Sequence, residues 1–268
     1  MTYKALTVAG SDSGGGAGIQ ADLKTFQELD VYGMSAITAL TAQNTLGVQG
    51  VYPTPVEGVV EQLNSIAVDL APNALKTGML FSAEIIEAVA DHVKKHEWTK
   101  LIVDPVMIAK GGASLLQEEA VVAVREKLLP LAYIVTPNIP EAEALTGLTI
   151  QSNEDREEAA MKLYELGAEN VVIKGGHTGD AEFAVDLLYD GNEFYRFKGP
   201  RIETKHTHGT GCTFAAAITA EVAKGNSVQE AIQTAKDFIT SAIQHELGIG
   251  SGHGPTNHWA YRKAGVQI

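Results

Sequence analysis

The chain has 268 residues, of which 45% are hydrophobic, and this suits one domain with a sizeable core that spans residues 1–268. The 33 acidic and 20 basic residues give a formal charge of -13, which disfavours nucleic acid or an anionic membrane as a partner. The single cysteine excludes an internal disulfide, the first residues lack the pattern of a secretion leader, and no apolar run approaches the ~18 residues of a membrane helix. We therefore expect a soluble, cytoplasmic protein.

Short apolar runs bounded by glycine alternate along the chain with amphipathic segments, which predicts βαβ units around a mainly parallel sheet. Within residues 17–29, for example, Ile19, Leu23 and Phe26 recur at helical spacing. Residues 183–197 are typical of two strands joined by a tight turn at Asp190-Gly191-Asn192. The predicted strands are 4–10, 34–40, 74–80, 100–106, 132–138 and 170–176, and the predicted helices are 17–29, 83–96, 117–129 and 155–166.

Functional side chains in such sheets collect in the loops that follow the carboxyl ends of the strands. The first of these loops, 10–18, is crowded with glycine. Its spacing matches a dinucleotide fingerprint only loosely, and no Gly-Lys-Ser/Thr follows as in a P-loop. Two interpretations stay open, a tight turn between strand and helix, or a loop whose backbone a flat ligand approaches closely. In the second case Asp22, one helical turn later, would accept hydrogen bonds from that ligand.

The lone cysteine, Cys212, lies between a glycine turn and an alanine-rich helical segment. Gly209 and Gly211 allow tight turning, and the unpaired N–H groups at the start of the helix favour an anion such as phosphate. A cysteine in the first turn of a helix is expected to have a lowered pKa, which makes Cys212 a candidate general base. The alternative is a small buried apolar side chain.

Seven segments together resemble the hydroxymethylpyrimidine/phosphomethylpyrimidine kinase family of the ribokinase-like superfamily. They are AGSDSGGGAGIQADLKTF, TALTAQNTLGV, KTGML, DPVMIAKGGASLL, TPNIPEAEALTG, VVIKGGH and KHTHGTGCTFAAAI, and they cover nearly the whole chain in the expected order. The resemblance implies a three-layer α/β/α fold with a central, mainly parallel sheet flanked by helices. It also implies phosphorylation of 4-amino-5-hydroxymethyl-2-methylpyrimidine and of its monophosphate for thiamine biosynthesis, with ATP and Mg²⁺, by a homodimer.

The resemblance also implies a role for particular residues. Cys212 is the expected base, and Asp104 and Glu141 are the expected acids that hold magnesium. The expected substrate-binding residues are Gln43, Asp22, Gly10 and Met79. The expected nucleotide-binding residues are Asn138, Lys174, Thr207, His208, Gly209 and Gly211.

Simpler structural roles stay open for several of these side chains. The amide of Gln43 can face water at a strand end, Met79 can be ordinary core, and Asn138 can cap a helix. Glu141 and Lys174 can be solvated surface charges, and His208 can have no role in binding.

Two other functions stay open. A pyridoxal or pyridoxine kinase has the same fold and a related ring substrate, but one type carries a second cysteine in the flap after the fourth strand, where this chain has Ala109. A pyrimidine- or nucleotide-binding regulator without turnover is the other alternative, although the expected base, acids and glycines are all present. The flap itself, residues 107–116, contains Lys110-Gly111-Gly112 and is predicted to close over both substrates.

Overall fold

The structure is a computed structural model that describes residues 2–107, 118–176 and 182–265. The predicted closure of the flap, the comparison at Ala109, and His177 at the end of the sixth strand loop all lie outside these residues. Within the described ranges, no helix has the length and apolar character needed to cross a membrane.

The strands are short at the centre of the sheet and longer toward its edges. All six predicted strands are present, and the predicted turn at Asp190-Gly191-Asn192 joins the last two strands as an antiparallel pair. The strands are β1 (Lys4–Asp12), β2 (Tyr32–Asn44), β3 (Gly47–Pro53), β4 (Ala74–Thr77), β5 (Leu101–Val103), β6 (Ile134–Val135), β7 (Val171–Ile173), β8 (Phe183–Tyr189) and β9 (Phe194–Pro200).

The four predicted helices are also present, with ends that differ by a few residues. The third begins as α4 and continues through a wider turn at Val124–Leu128 and a 3₁₀ turn at Leu129–Leu131. The helices are α1 (Gly18–Glu28), α2 (Val56–Asp69), α3 (Ala83–Lys95), α4 (Glu118–Ala123), α5 (Ile139–Thr146), α6 (Asn153–Glu165), α7 (Thr210–Lys224), α8 (Val228–Gln244) and α9 (Ala260–Gly265).

The described strands form one sheet in the order β3-β2-β1-β4-β5-β6-β7-β8-β9. The six strands from β2 to β7 in this order run parallel, whereas β3, β8 and β9 are antiparallel additions at the edges. Alternate residues of each strand point to opposite faces, so the sheet has a hydrophobic core on each side. Ile102 packs with α1, α7 and α8 on one face, and Leu101 and Val103 pack with α2 to α6 on the other. This confirms the expected three-layer α/β/α architecture.

Three elements between the predicted strands, β3, α2 and α5, were not assigned from the sequence. β3 is glycine-containing and half-exposed, so it lacks the apolar run of a buried strand. α2 does carry a helical pattern, because Val59 and Leu63 are its buried residues and Ile66 packs against the same core. The helical pattern of α2 was therefore visible in the sequence, but no helix was predicted for this segment.

The loop after β7 packs so closely on β8 that it leaves no room for a side chain at Gly175. A Cβ atom added there would lie 1.9 Å from the Val185 carbonyl oxygen, whereas a Cβ added at the next residue, Gly176, would meet no atom of the described residues within 4 Å. The backbone N–H of Gly175 also donates a hydrogen bond of 2.7 Å to Asp186 Oδ1. The position of this loop is therefore fixed by the backbone of β8.

Gly175→Ala is expected to lower the free energy of unfolding by about 1–3 kcal/mol, the usual range for overpacking, because the methyl group collides with backbone. Urea denaturation measures the change. Gly176→Ala is the matched control and should stay within about 0.5 kcal/mol of the wild type, as substitutions away from such features do. Equal stability of the two variants would contradict the close contact.

Candidate functional site

A cavity of about 730 Å³ opens at the carboxyl edge of the parallel strands. Its walls come from the loops after β1, β4, β5, β6 and β7, from the end of β2 and from the start of α7. Ligands of open α/β sheets bind at this edge. Every residue expected at the site lines the cavity except Asp22: Gly10, Gln43, Met79, Asp104, Asn138, Glu141, Lys174, Thr207, His208, Gly209, Gly211 and Cys212.

One end of the cavity brings together an amide and an apolar wall. Gln43, near the end of β2, lies with its amide nitrogen 3.2 Å from His208 Nε2, and its amide oxygen accepts a 3.1 Å hydrogen bond from Thr41. The Met79 side chain lies directly against Gly10, where an added Cβ would be 2.5 Å from the methionine methyl carbon. This end offers hydrogen bonds beside a flat apolar surface, which is what a polar heteroaromatic ring requires.

Asp12, which the sequence analysis did not select, organises the loop after β1. Its carboxylate accepts hydrogen bonds from the backbone N–H groups of Gly14, Gly16 and Ala17 at 2.8–3.0 Å. His208 Nε2 lies 2.9 Å from Asp12 Oδ2. Burial raises the pKa of Asp12, but His208 and the backbone donors outweigh it and hold the pKa below its usual value. An aspartate followed by glycines was the available signal, since such residues bond to backbone two or more positions later.

The loop after β1 crosses the loop before α7 at two glycines. Gly209 has φ of +82°, and a Cβ there would lie 1.8 Å from the Gly16 carbonyl oxygen. A side chain at this position is excluded both by the backbone conformation and by the contact. His208, which directly precedes Gly209, therefore reaches across to Asp12 and Gln43. The structure places His208 beside the Gln43 end of the cavity as well as next to the turn that precedes α7.

The start of α7 faces a charged group on the opposite wall of the cavity. Gly211 and Cys212 belong to the first turn of this helix, whose N–H groups have no acceptor within the helix. A Cβ added at Gly211 would lie 3.5 Å from Lys174 Nζ and 3.9 Å from Asp104 Oδ2. Helix dipole and lysine ammonium thus converge on one point, a favourable position for a phosphate group.

Lys174 pairs with both expected metal-binding acids. Its ammonium lies 2.9 Å from Asp104 Oδ1 and 3.8 Å from Glu141 Oε2. Burial lowers the pKa of Lys174, but the two carboxylates outweigh it and raise the pKa above its usual value. Burial raises the pKa of Glu141 to about 7, and Lys174 opposes that shift. Neither Glu141 nor Lys174 is a solvated surface charge.

Asn138 and Glu141 form a capping box at the start of α5. The Asn138 side chain accepts a hydrogen bond from the Glu141 N–H, and the Glu141 carboxylate accepts one from the Asn138 N–H. The helix-capping role left open for Asn138 is therefore present, and the same side chain lines the cavity. The capping box fixes the Glu141 carboxylate beside Lys174.

The residues present fit a magnesium ion. Asp104 Oδ2 is buried and has no hydrogen-bond partner within the described residues. Magnesium is usually held by one or two carboxylates together with substrate phosphates and water. No group of three or more His, Cys, Asp or Glu side chains suited to a metal occurs in the described part of the chain. Asp104 and Glu141 are thus carboxylates of the kind that hold magnesium together with a nucleotide phosphate.

The expectation of a lowered pKa for Cys212 is wrong. Burial raises the pKa of the thiol to about 12, although Lys76 and the backbone N–H of Gly18 oppose the shift. The start of α7 does not compensate for removal from water. Cys212 is half-buried and lines the cavity.

The expectation that Asp22 contacts the ligand is also not met, because Asp22 is fully buried beneath the cavity. Its Oδ2 accepts hydrogen bonds from Thr7 at 2.6 Å and from Lys76 at 2.9 Å. Burial raises the pKa of Asp22, and Lys76 opposes that shift. The sequence analysis correctly placed Asp22 one helical turn after the glycine-rich loop, but its side chain points into the protein.

The far end of the cavity contains a second buried ion pair that the sequence analysis did not identify. Lys236 on α8 lies 2.8 Å from Asp186 Oδ2 on β8, and both side chains are only 7% exposed. Apolar side chains of Phe214, Ile239 and Ile243 line the same end. This end therefore combines an apolar surface with two fixed polar groups, as small-molecule pockets do.

The chain matches the family model of phosphomethylpyrimidine kinase over residues 12–257. The hydroxymethylpyrimidine/phosphomethylpyrimidine kinase of Bacillus subtilis is 59% identical over 261 residues, which cover 97% of this chain and 96% of that protein. The chain belongs to the phosphomethylpyrimidine kinase family. The resemblance stated from the sequence is thereby confirmed, and with it the assignment as a kinase.

Solved structures of pyridoxal kinases have the same fold. The ADP complex of Bacillus subtilis pyridoxal kinase is 46% identical with a TM-score of 0.91, and the alignment covers 98% of this chain and 99% of that one. The Staphylococcus aureus pyridoxal kinase in complex with AMP-PCP and pyridoxal is 41% identical with a TM-score of 0.91, covering 98% and 96%. These relatives bind adenine nucleotides.

Asp12→Asn is expected to lower the free energy of unfolding by about 1–3 kcal/mol, because buried donors lose a charged acceptor. The folded-state pKa of Asp12 is depressed, so its contribution is present above the unfolded pKa and is lost as pH falls through the lower folded value. Wild type should therefore lose more stability than Asp12→Asn as the pH is lowered from neutral toward 3. Urea denaturation over this pH range measures the difference, and parallel curves would contradict it.

Proposed function

We propose that this chain transfers the γ-phosphoryl group of ATP to 4-amino-5-hydroxymethyl-2-methylpyrimidine and then to its monophosphate, which supplies the diphosphate for thiamine biosynthesis. The observation that carries the proposal is one continuous cavity with Gln43 and Met79 at one end and the start of α7, Lys174 and Asp104 facing each other further along. Phosphoryl transfer requires mainly such positioning and charge neutralisation. Location in the cytoplasm remains a prediction from the sequence.

The ring occupies the Gln43 end in this proposal. The amide of Gln43 pairs with a ring nitrogen and the exocyclic amine, while Met79 and the backbone at Gly10 cover the face of the ring. Asp12 and His208 hold the loop and the amide in position, at 2.9 Å and 3.2 Å from their contact atoms. Asp22 supports this wall from beneath and does not touch the ring.

The nucleotide occupies the rest of the cavity. Its base lies at the apolar end near Ile239 and Ile243, and its phosphates extend past Asn138 and Thr207 to Lys174 and to the first-turn N–H groups at Gly209 and Gly211. Complexes of related kinases with ADP and AMP-PCP support a nucleotide in this fold. Asp104 and Glu141 would hold a magnesium ion, which would neutralise charge on the phosphates. Lys174 orients both carboxylates before the nucleotide binds.

Cys212 acts at the hydroxymethyl oxygen in this proposal. As that oxygen forms its bond to the γ-phosphorus, the bond from phosphorus to the bridging oxygen breaks and ADP leaves with the electron pair. The hydroxyl proton passes to the cysteine sulfur, which must first have lost its own proton. Because the resting thiol has a pKa of about 12, the base form is scarce and is stabilised only by its surroundings.

Pyridoxal kinase activity is the second candidate, because structures that superpose with a TM-score of 0.91 are pyridoxal kinases. Pyridoxal is also a flat heteroaromatic ring with a hydroxymethyl group. A regulator without turnover is less well supported, since the cavity retains both carboxylates, the lysine and the glycine turn.

We also propose that the protein is a homodimer. Leu40 and Tyr52 are paired across β2 and β3, and they are 53% and 65% exposed on this edge of the sheet. Leu46, in the turn between the two strands, is 72% exposed. Exposed apolar side chains that cluster in this way are typical of interaction surfaces. Sedimentation velocity at assay concentration distinguishes the dimer from a monomer.

Assays with ATP, magnesium and each ring compound test the proposed reaction. The kcat/KM for hydroxymethylpyrimidine and its monophosphate is expected to exceed that for pyridoxal. Gln43→Ala should lower kcat/KM for the pyrimidine, with ATP binding retained. The expected loss of transition-state stabilisation is about 1–3 kcal/mol, the cost of leaving buried polar groups unpaired. A product only from pyridoxal would favour the second candidate, and no phosphorylated product from any ring would refute kinase activity.

Cys212→Ala is expected to lower kcat by roughly 10²–10⁴-fold, the range for general-base catalysis, with ATP affinity and folding retained. Cys212→Asp should restore part of the rate, because a carboxylate is more readily ionised than this thiol. Steady-state kinetics and nucleotide titration measure the two effects. A loss below about threefold in Cys212→Ala would mean that Cys212 only packs in the cavity and that the proton goes elsewhere, since general-base catalysis contributes at least about 10²-fold.

A further inference from the structure

The connection between α8 and α9 contacts three loops around the Gln43 end of the cavity. We call residues 249–257 of this connection the strap. All strap residues belong to the described part of the chain, and none of them lines the cavity. Its second half, residues 254–257, is nevertheless buried. The strap has no part in the proposed steps, so its contacts need another explanation.

The first contact is with the turn between β2 and β3. The Thr45 carbonyl oxygen accepts a hydrogen bond of 2.8 Å from the backbone N–H of His253, and the Thr45 hydroxyl accepts one of 3.3 Å from the N–H of Gly252. A Cβ added at Gly252 would lie 2.0 Å from the same carbonyl oxygen. Because Thr45 follows Gln43 by two residues, the strap fixes the backbone next to the amide at the end of β2.

The second contact is with the loop before α7. The backbone N–H of His208 donates to the carbonyl oxygen of Gly254 at 3.1 Å, and the N–H of Thr256 donates to the carbonyl oxygen of His208 at 3.2 Å. The two segments thus pair in parallel like neighbouring strands. The strap holds both backbone groups of His208, whose ring lies 2.9 Å from Asp12 and 3.2 Å from Gln43.

Further contacts join the strap to the loop after β1 and to the residues before His208. A Cβ added at Gly16 would lie 2.9 Å from the Cβ of Pro255. The N–H of Gly254 donates a hydrogen bond of 3.1 Å to Nδ1 of His206, a side chain that is 8% exposed. A Cβ added at Gly254 would lie 2.2 Å from the same nitrogen. The strap therefore lies directly against all three loops.

The glycines of the strap are explained by these contacts and not by the backbone conformation. Neither Gly252 nor Gly254 has a positive φ, so the backbone at both positions allows other residues. Glycine also loses more conformational entropy on folding than any other residue, which is a cost to stability. What glycine provides at both positions is space for a close approach to Thr45 and His206.

We propose that the strap is a positioning element for the ring substrate, because it holds Thr45 and His208 so that the Gln43 amide has one orientation before the ring binds. The inference rests on the proposed binding of the ring at Gln43. A site that is ordered in advance loses less freedom on binding, so the strap should increase the affinity for the ring. No hydrogen bond between described residues joins the strap to the loops that carry Lys174 and Asp104, so nucleotide affinity should not depend on it.

Gly252→Ala tests the contact with Thr45, because its methyl group collides with backbone. Titration calorimetry without ATP is expected to show a Kd for hydroxymethylpyrimidine raised by about threefold or more, since small displacements of positioning groups are costly. The Kd for ADP should stay within about twofold of the wild type, because its subsite is retained. A merely structural role would lower the active fraction and leave both Kd values unchanged.

Gly265→Ala on α9 is the matched control. A Cβ added there would meet no atom of the described residues within 4 Å, and Gly265 has no positive φ. Both Kd values of this variant should equal those of the wild type. Ring affinity in Gly252→Ala equal to that of the wild type would overturn the proposal. An equal loss of ring and ADP affinity would overturn it too, because the strap would then support the whole cavity.

His206 provides a second test that does not introduce a collision. His206→Ala removes the acceptor for the N–H of Gly254, whereas His206→Asn keeps an oxygen acceptor close to the position of Nδ1. The Kd for the ring should rise in His206→Ala and be closer to the wild-type value in His206→Asn. The same loss in both variants would contradict a role for this hydrogen bond in holding the strap.

Amide hydrogen exchange without substrates separates the strap inference from the proposed reaction. Residues 41–46 and 206–208 should exchange faster in Gly252→Ala than in the wild type, and residues 136–141 should be unchanged, because local opening follows local contacts. Faster exchange with unchanged ring affinity would overturn the functional part of the inference. A wild type that binds no ring compound would refute the proposed function, whereas a wild type that binds the ring and an unaffected Gly252→Ala would refute the strap inference.

Discussion

The crossing of two backbone loops at Gly16 and Gly209 is the constraint on which the site depends. The backbones meet so closely that a Cβ at Gly209 would lie 1.8 Å from the Gly16 carbonyl oxygen. One loop carries the wall proposed for the ring, and the other leads into the helix proposed to bind the phosphate. Asp12 and His208 add a side-chain contact of 2.9 Å at the same crossing. The distance between the two proposed subsites is therefore set by backbone contact rather than by flexible side chains, which favours a reactive geometry before substrates bind.

Three lysine–carboxylate pairs are built into the cavity walls and floor, and each joins different elements. Lys76 joins β4 to α1, Lys174 joins the loops after β7 and β5, and Lys236 joins α8 to β8. Each pair requires removal of charge from water, so none is an efficient way to gain stability. The three pairs share a location, because each holds a charge at or below the cavity wall. In the proposed reaction, these buried charges contribute to the electric field around the phosphates.

Much of the fold could be predicted because its information is local. The apolar runs of β5, β6 and β7 are buried on both faces, and the sequence displays this as short, unbroken hydrophobic stretches. Most of the site was also predictable, because the strand ends of a parallel sheet meet at one edge. The pairings of Asp12, Lys76 and Asp186 were not, because their partners His208, Asp22 and Lys236 are 196, 54 and 50 residues away in sequence. Sequence spacing carries no sign of such pairings.

The error over the pKa of Cys212 shows which of two opposing effects dominates. A helix start favours a thiolate by a modest amount within its first turn, whereas burial in a protein interior shifts a thiol in the opposite direction by several pKa units. The position in the helix was readable from glycine and cysteine, but the depth of burial depends on α1 and β4 packing beneath the sulfur. A neutral thiol has an advantage that a carboxylate lacks in a site that accepts both an alcohol and a phosphate monoester. In the proposed reaction it does not repel the charged second substrate.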